Sequence, residues 1–297
     1  MIPEIRPRRS ALYVPGNNAR ALDKAAGLAT DVLILDLEDA VNDDAKVASR
    51  ERVCAAVDSG VYQPREIVVR INGIGAEWHR RDVAAAAQTE ADGILVPKVE
   101  SAEEVRMLSA DLEAAGASPR LKLWVMIETP VAFLRAEEIA AASDRLAVLV
   151  VGTNDLINDL HAISRPGRAP VSTALSLAVL GARAAGKVIL DGVFNDIGDK
   201  VGFAAESQQG RDMGFDGKTV VHPSQIEPSN DVFGPSAAEV EHAHMVVSAY
   251  EQALAAGESV IVVDGKMIES LHVRDAQRIL VLDAAIRDLS DPSLARA

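Results

Sequence analysis

The sequence predicts an α/β protein, a (β/α)8 TIM barrel with a C-terminal helical extension. Three observations predict it. Short, β-branched apolar runs alternate roughly eight times with longer amphipathic stretches rich in Ala, Glu and Arg, the rhythm of a closed parallel barrel. The chain has 297 residues, close to the ~250 typical of one such barrel. No Gly-x-Gly-x-x-Gly follows the first apolar run, which weighs against an open doubly wound sheet.

Strands are expected over 11–14, 32–35, 67–69, 93–96, 121–127, 146–151, 187–190 and 219–221. Helical periodicity is clear over 19–28, 46–57, 78–89, 102–115 and 172–185, several of these stretches opening after Ser, Asp or Asn and closing near Gly. After His222-Pro223 the pattern changes. Residues 237–256 read as a long helix, 260–263 as a short strand turning at Asp264-Gly265, and 271–287 as another helix. The expected division is a catalytic barrel over 1–228 and an extension over 229–297 that is too small to fold alone. The extension must pack on its own barrel or reach a neighbouring subunit.

Composition narrows the function classes. With 30 Lys plus Arg against 44 Asp plus Glu, the net charge of −14 opposes a broad contact with nucleic acid or an anionic membrane. The only cysteine, Cys54, excludes an intrachain disulfide and fits a reducing, cytoplasmic setting. Arg6, Arg8 and Arg9 lead into no apolar stretch of a secretory signal, and no apolar run approaches the ~20 residues of a membrane span.

In a barrel of this kind the working groups sit where strands end and βα loops begin. Read at those positions, the chain offers Asp36-Leu37-Glu38-Asp39, Arg70-Ile71-Asn72-Gly73, Pro97-Lys98, Glu128-Thr129-Pro130, Gly152-Thr153-Asn154-Asp155, Asp191-Gly192 and His222-Pro223. Carboxylates, an arginine and a lysine thus converge on one rim, where each would be costly without a partner. Hard oxygen ligands without paired Cys or His suit Mg²⁺, with Mn²⁺ as the alternative. Glu128 and Asp155 either share one ion or cap helices and pair with Arg70 or Lys98. Asp36, Glu38 and Asp39 either hold metal waters or cap the following helix, and Asp39 is counted among the catalytic candidates. Arg70 offers a fork of donors to a carboxylate or keto acid, or a salt bridge within the barrel. Lys98 serves as electrostatic support rather than a Schiff base. His222 is either near the site or a structural hydrogen-bond partner, and His242 and His244 point to different helix faces.

The stretches Arg9 to Gly16, Asp36 to Val41 with Lys46, Arg70 to Gly73, Val96-Pro97-Lys98, Ile127-Glu128-Thr129, Gly152 to Leu156, Asp191-Gly192-Val193 and Gly214 to Lys218 ahead of His222-Pro223 resemble, in order, the citrate lyase beta-subunit-like family of CoA-ester lyases. The resemblance implies Mg²⁺ on Glu128 and Asp155, and Arg70 on the 2-keto acid portion of the substrate. It implies a carbon–carbon lyase that cleaves or forms a malyl-CoA or citramalyl-CoA type ester, its partners being a CoA thioester and a small 2-keto acid. A malyl-CoA thioesterase and the beta subunit of a citrate lyase complex are the alternatives. In related malyl-CoA and citramalyl-CoA lyases the tail usually reads Gly-Lys-Met-Ile-Asp, its aspartate thought to enter a neighbour's site as acid/base. Here the position is Glu269, one methylene longer. A homo-oligomer, a trimer or a multiple of one, is the corresponding expectation. The resemblance also brings Arg6, Arg8, Arg9 and Lys24 toward the CoA phosphates.

Overall fold

A computed structural model describes residues 5–255, 261–263 and 265–290. Eight parallel strands close into a barrel in sequence order: β1 (Ser10–Pro15), β2 (Val32–Asp36), β3 (Glu66–Arg70), β4 (Gly93–Val96), β5 (Lys122–Ile127), β6 (Leu146–Val151), β7 (Val188–Asp191) and β8 (Gly217–Val220), with β8 returning to pair with β1. The expected (β/α)8 barrel is therefore present, each predicted strand lying within a few residues of an observed one.

The helices between strands are α1 (Ala19–Ala25), α2 (Lys46–Asp58), α3 (His79–Ala86), α4 (Ala102–Ala114), α5 (Pro130–Leu134), α6 (Ala136–Ala140), α7 (Thr153–Asp159), α8 (Ser172–Ala184) and α9 (Lys200–Met213). Capping explains where several begin. The side chains of Asn18, Ser101, Thr129 and Asp199 each accept an N–H from the first turn of the helix that follows. Gly214 ends α9 at φ 98°, a left-handed position suited to glycine. Between the strands, the helices missed by periodicity are α5, α6, α7 and α9. The first three are 5, 5 and 7 residues long, too short for a 3.6-residue repeat to register. Within α9, Gly202 and Gly210 interrupt the apolar face.

Side chains alternate along each strand, and one parity fills the barrel: Ala11, Val32, Ile34, Val68, Leu95, Trp124, Met126, Val148, Val150 and Leu190 form its buried core. Continued toward the strand ends, the same parity runs Ile34 to Asp36, Val68 to Arg70, Met126 to Glu128 and Val150 to Gly152. Period-two geometry alone thus aims these groups at the mouth of the barrel.

Residues 8–230 form one compact unit. In the second, α11 (Ala237–Ala255) and α12 (Ser270–Ser290) follow α10 (Ile226–Phe233) and carry between them an antiparallel hairpin of β9 (Ile261–Val263) and β10 (Lys266–Ile268). Its core is Ala243, Val246, Ile268, Val273 and Ala276. Gly265 turns the hairpin at φ 73°, whereas Ala256, Val260 and Asp264 lie outside the described residues. No described helix is long and apolar enough to cross a membrane.

Candidate active site

The mouth of the barrel opens into a cavity of about 390 Å³ lined on its polar side by Asp36, Asp39, Arg70, Glu128 and Asp155 and on its apolar side by Pro15, Met126, Val151 and Val193. Four of the five predicted site residues, Arg70, Asp39, Glu128 and Asp155, line this one space. The fifth, Glu269, belongs to the second unit, where it is half-buried and its backbone N–H donates to His272 Nδ1 at 3.0 Å.

Arg70 is buried at the end of β3. Its Nε and Nη2 bind the two oxygens of Asp36 at 2.7 Å each, a bidentate fork. Nη1 meets Glu38 Oε2 at 2.8 Å and Asp39 Oδ2 at 3.4 Å, and the guanidinium lies 4.8 Å over the Tyr13 ring. The Asp36 carboxylate also accepts the backbone N–H groups of Glu38 and Ala40, which folds the turn that presents Glu38 and Asp39. Burial, reinforced by Asp39 and Asp36, pushes the Glu38 carboxyl up to about 7 even though Arg70 opposes it. Of the alternatives read from sequence, the salt bridge between Arg70 and Asp36 is present, whereas no side chain caps the helix that follows, Asp36 folding the turn before it instead.

Glu128 directly follows β5 and is 3% exposed. Its Oε1 accepts the Lys98 backbone N–H at 2.8 Å, from a lysine held at φ 53°, a conformation unfavourable to a residue with a side chain. The Lys98 ammonium reaches Asp155 at 3.4 Å. Burial and then Asp155 push the Glu128 carboxyl up to about 7. Lys98 itself titrates above its ordinary value: burial opposes the charge, but Asp155 and Glu128 outweigh it. A Schiff base needs a neutral amine, so this environment opposes that chemistry and agrees with electrostatic support.

Gly152 makes the carboxylate's place accessible. A Cβ there would collide with Glu128 Cβ and stand 2.5 Å from its Oε2. Two acidic side chains, one of them deeply buried, thus line the same cavity, and the exposed Lys98 ammonium lies beside Asp155. Among the described residues no three His, Cys, Asp or Glu side chains gather to hold an ion. A pair of carboxylates completed by water or substrate oxygen is nevertheless a set that a hard divalent cation accepts. The donor set fits.

Sequence reasoning missed a second buried cluster. Lys218, fully buried in β8, donates to Asp191 Oδ2 at 3.0 Å and Glu206 Oε1 at 2.8 Å, while Arg168 Nη1 binds Asp191 Oδ1 at 2.6 Å. A lysine between Gly217 and Thr219 in a strand buried along its length was the available signal, because it requires a carboxylate. The Asn154 and Asn195 side chains, paired at 2.8 Å, tie the β6 and β7 loops together beside the cavity.

One expectation changes, and one pair of alternatives is resolved. Arg8 binds Glu66 at 2.6 Å and stacks 5.3 Å over Trp124, and Arg9 forks onto Asp31 at 2.8 and 2.9 Å. These partners stand at the N-terminal ends of β3 and β2, opposite the cavity, so Arg8 and Arg9 close the barrel floor instead of meeting a CoA phosphate at the rim. The His222 imidazole is exposed, accepts the Ser224 N–H and shares a capping box with Gln225. Its observed role is the structural one.

A model of the HpcH/HpaI aldolase/citrate lyase family matches residues 9–223. The chain is 47% identical over 286 residues to a (3S)-malyl-CoA thioesterase of Cereibacter sphaeroides, covering 96% of this chain and 98% of that one. It is 34% identical over 284 residues to citrate lyase subunit beta of Escherichia coli, covering 93% of each. Among solved structures it is similar to the protein CitE from Mycobacterium tuberculosis in complex with magnesium, acetoacetate and coenzyme A, with TM-score 0.75, 31% identity, and coverage of 93% of this chain and 97% of that one. Fold, ordered motifs and likeness along nearly the whole length agree, and the chain belongs to the HpcH/HpaI aldolase/citrate lyase family.

Proposed function

We propose that the chain is an Mg²⁺-dependent enzyme that hydrolyses the thioester of a malyl-CoA type substrate. The observation that carries this reading is the end-to-end 47% identity to the (3S)-malyl-CoA thioesterase, supported by a rim that combines two carboxylates with a guanidinium. Glu128 and Asp155 would hold the ion. Bound there, Mg²⁺ supplies positive charge to carbonyl oxygens on which negative charge grows during the reaction.

The chain's own residues account for the rest. Asp36 locks Nε and Nη2 of Arg70, so Nη1, which keeps Glu38 at 2.8 Å, takes the substrate's terminal carboxylate in exchange for Asp39. The Asp39 side chain is 71% exposed, so it leaves that contact at little cost. Lys98 holds Glu128 in place through its backbone N–H and offsets the acidic pair through its ammonium. Glu269, delivered by a second copy of the chain in a homo-oligomer, takes a proton from the attacking water. The water oxygen then adds to the thioester carbonyl carbon, the carbon–sulfur bond breaks, and the sulfur leaves with a proton as the CoA thiol.

A carbon–carbon lyase is the second reading, favoured by the likeness to CitE bound to acetoacetate and coenzyme A. Such cleavage takes a proton from the substrate hydroxyl, breaks the adjacent carbon–carbon bond and passes the electron pair to the thioester enolate. One assay separates the two. Purified protein with Mg²⁺ and malyl-CoA is expected to release malate and free CoA; glyoxylate with acetyl-CoA would establish the lyase instead. Neither pair of products, from malyl-CoA or citramalyl-CoA, would reject both readings. Glu269→Gln is expected to abolish release while leaving Mg²⁺ binding intact by calorimetry.

A further inference from the structure

Behind the rim, a line of buried polar groups runs from the outer helices to the acidic turn and ends on Lys46. This residue opens α2 and is 6% exposed. Its Nζ donates to the Leu37 carbonyl at 2.9 Å, the Glu38 carbonyl at 2.8 Å and Asn72 Oδ1 at 2.7 Å. Those bonds use the whole donor capacity of an ammonium, and all of them go to neutral oxygens. The other buried cations behave differently: Arg70, Arg168 and Lys218 each bind a carboxylate directly. Lys46 spends its charge on backbone carbonyls and an amide, a pattern that fixes the path of a chain more than it neutralises an acid.

Asn72 is held from its other side. Its Nδ2 and its backbone N–H both donate to Asp82 Oδ2, at 2.6 and 3.1 Å, and its carbonyl meets His79 Nδ1 at 2.8 Å. With Nδ2 committed to Asp82, Oδ1 must face Lys46. Asp82 in turn accepts Arg50 Nε at 2.6 Å. Arg50 lies one helical turn after Lys46 on α2, and His79 and Asp82 lie on α3.

The two carbonyls that Lys46 holds belong to the turn carrying Asp36, Glu38 and Asp39, whose carboxylates surround Arg70. Asn72 stands two residues after Arg70. Lys46 therefore joins the loop after β2 to the loop after β3, on either side of the guanidinium. We propose that Lys46 is a positioning residue: with Asn72 it holds the Asp36–Asp39 turn against Arg70, so that the guanidinium presents one nitrogen to the substrate's carboxylate or keto group. Lys46 does not touch the substrate, and the proposal rests on the reading of Arg70 given above.

The test is calorimetric titration of oxaloacetate in saturating Mg²⁺, with Mg²⁺ alone titrated in parallel. Lys46→Met keeps the apolar stem and removes the three bonds. It is expected to weaken oxaloacetate binding about tenfold or more, while Mg²⁺ affinity stays within about twofold, as for separate sites. Arg50→Met breaks the same line at its far end. It is expected to lower the unfolding temperature and leave oxaloacetate affinity unchanged. Equal weakening in both variants, or none in Lys46→Met, overturns the positioning role. Should Lys46→Met fail to fold, Asn72→Ser is titrated in its place, and unchanged oxaloacetate affinity then overturns the role. Wild-type protein that binds no oxaloacetate overturns the reading of Arg70 and this proposal together, whereas wild-type binding that survives Lys46→Met overturns this proposal alone.

Discussion

At the scale of single residues, Gly152 and Arg70 set the sharpest demands. The space that a Cβ on Gly152 would occupy is already filled by the Glu128 side chain. Gly152→Ala is therefore expected to displace that carboxylate and weaken Mg²⁺ binding by about 10- to 100-fold, measurable by calorimetry; unchanged affinity would remove Glu128 from the metal site. Arg70→Lys keeps the charge but loses the fork onto Asp36. It is expected to raise KM for the CoA ester about tenfold or more, and an unaltered KM in steady-state kinetics would exclude Arg70 from substrate contact. Both residues were visible in the sequence as the first position after an apolar run, Arg70 as a polar group and Gly152 as a turn or close-approach glycine. The distances that distinguish a substrate ligand from a salt-bridge partner were not, because they depend on which neighbouring strand brings Asp36 alongside.

At the scale of elements, the buried charges that join β7, β8, α9 and the loop before α8 matter most. Asp191 is fully buried between Arg168 and Lys218. Burial alone would raise its carboxyl, but Lys218 and Arg168 outweigh burial and hold it below the ordinary value. A carboxyl depressed in the folded state contributes stability that is present above the unfolded value of about 4 and is lost as pH falls through the folded one. Asp191→Asn removes the carboxylate that Arg168 and Lys218 share, leaving them Glu206, and is expected to cost about 3 kcal/mol. Urea unfolding at neutral pH would measure that loss. Repeated below pH 4, the same titration should show a shallower acid decline in the variant than in the wild type; parallel declines would contradict the depressed Asp191. Periodicity found the strands of this region but not the cluster, whose members lie far apart in the chain. Only Lys218, out of place in a buried strand, announced it.

At the scale of the whole molecule, residues 8–230 form a compact unit with its own core, and Glu269 lies in the other unit. A chain ended after residue 235 is expected to keep the barrel's circular dichroism and its Mg²⁺ binding while losing turnover; full turnover would exclude Glu269 as the acid/base. The alternation of apolar runs with amphipathic stretches was enough to name the barrel, and the polar residue after each run was enough to name most of the rim. Both are local properties: strand parity and the βα junction follow from the backbone's own geometry. Local pattern could not tell which end of the barrel Arg8 and Arg9 would occupy, that Lys46 would turn away from the carboxylates, or that Asp191, Arg168 and Lys218 would meet. Those outcomes are set by pairing between segments distant in sequence, where a buried charge takes the partner that closure of the barrel brings within reach.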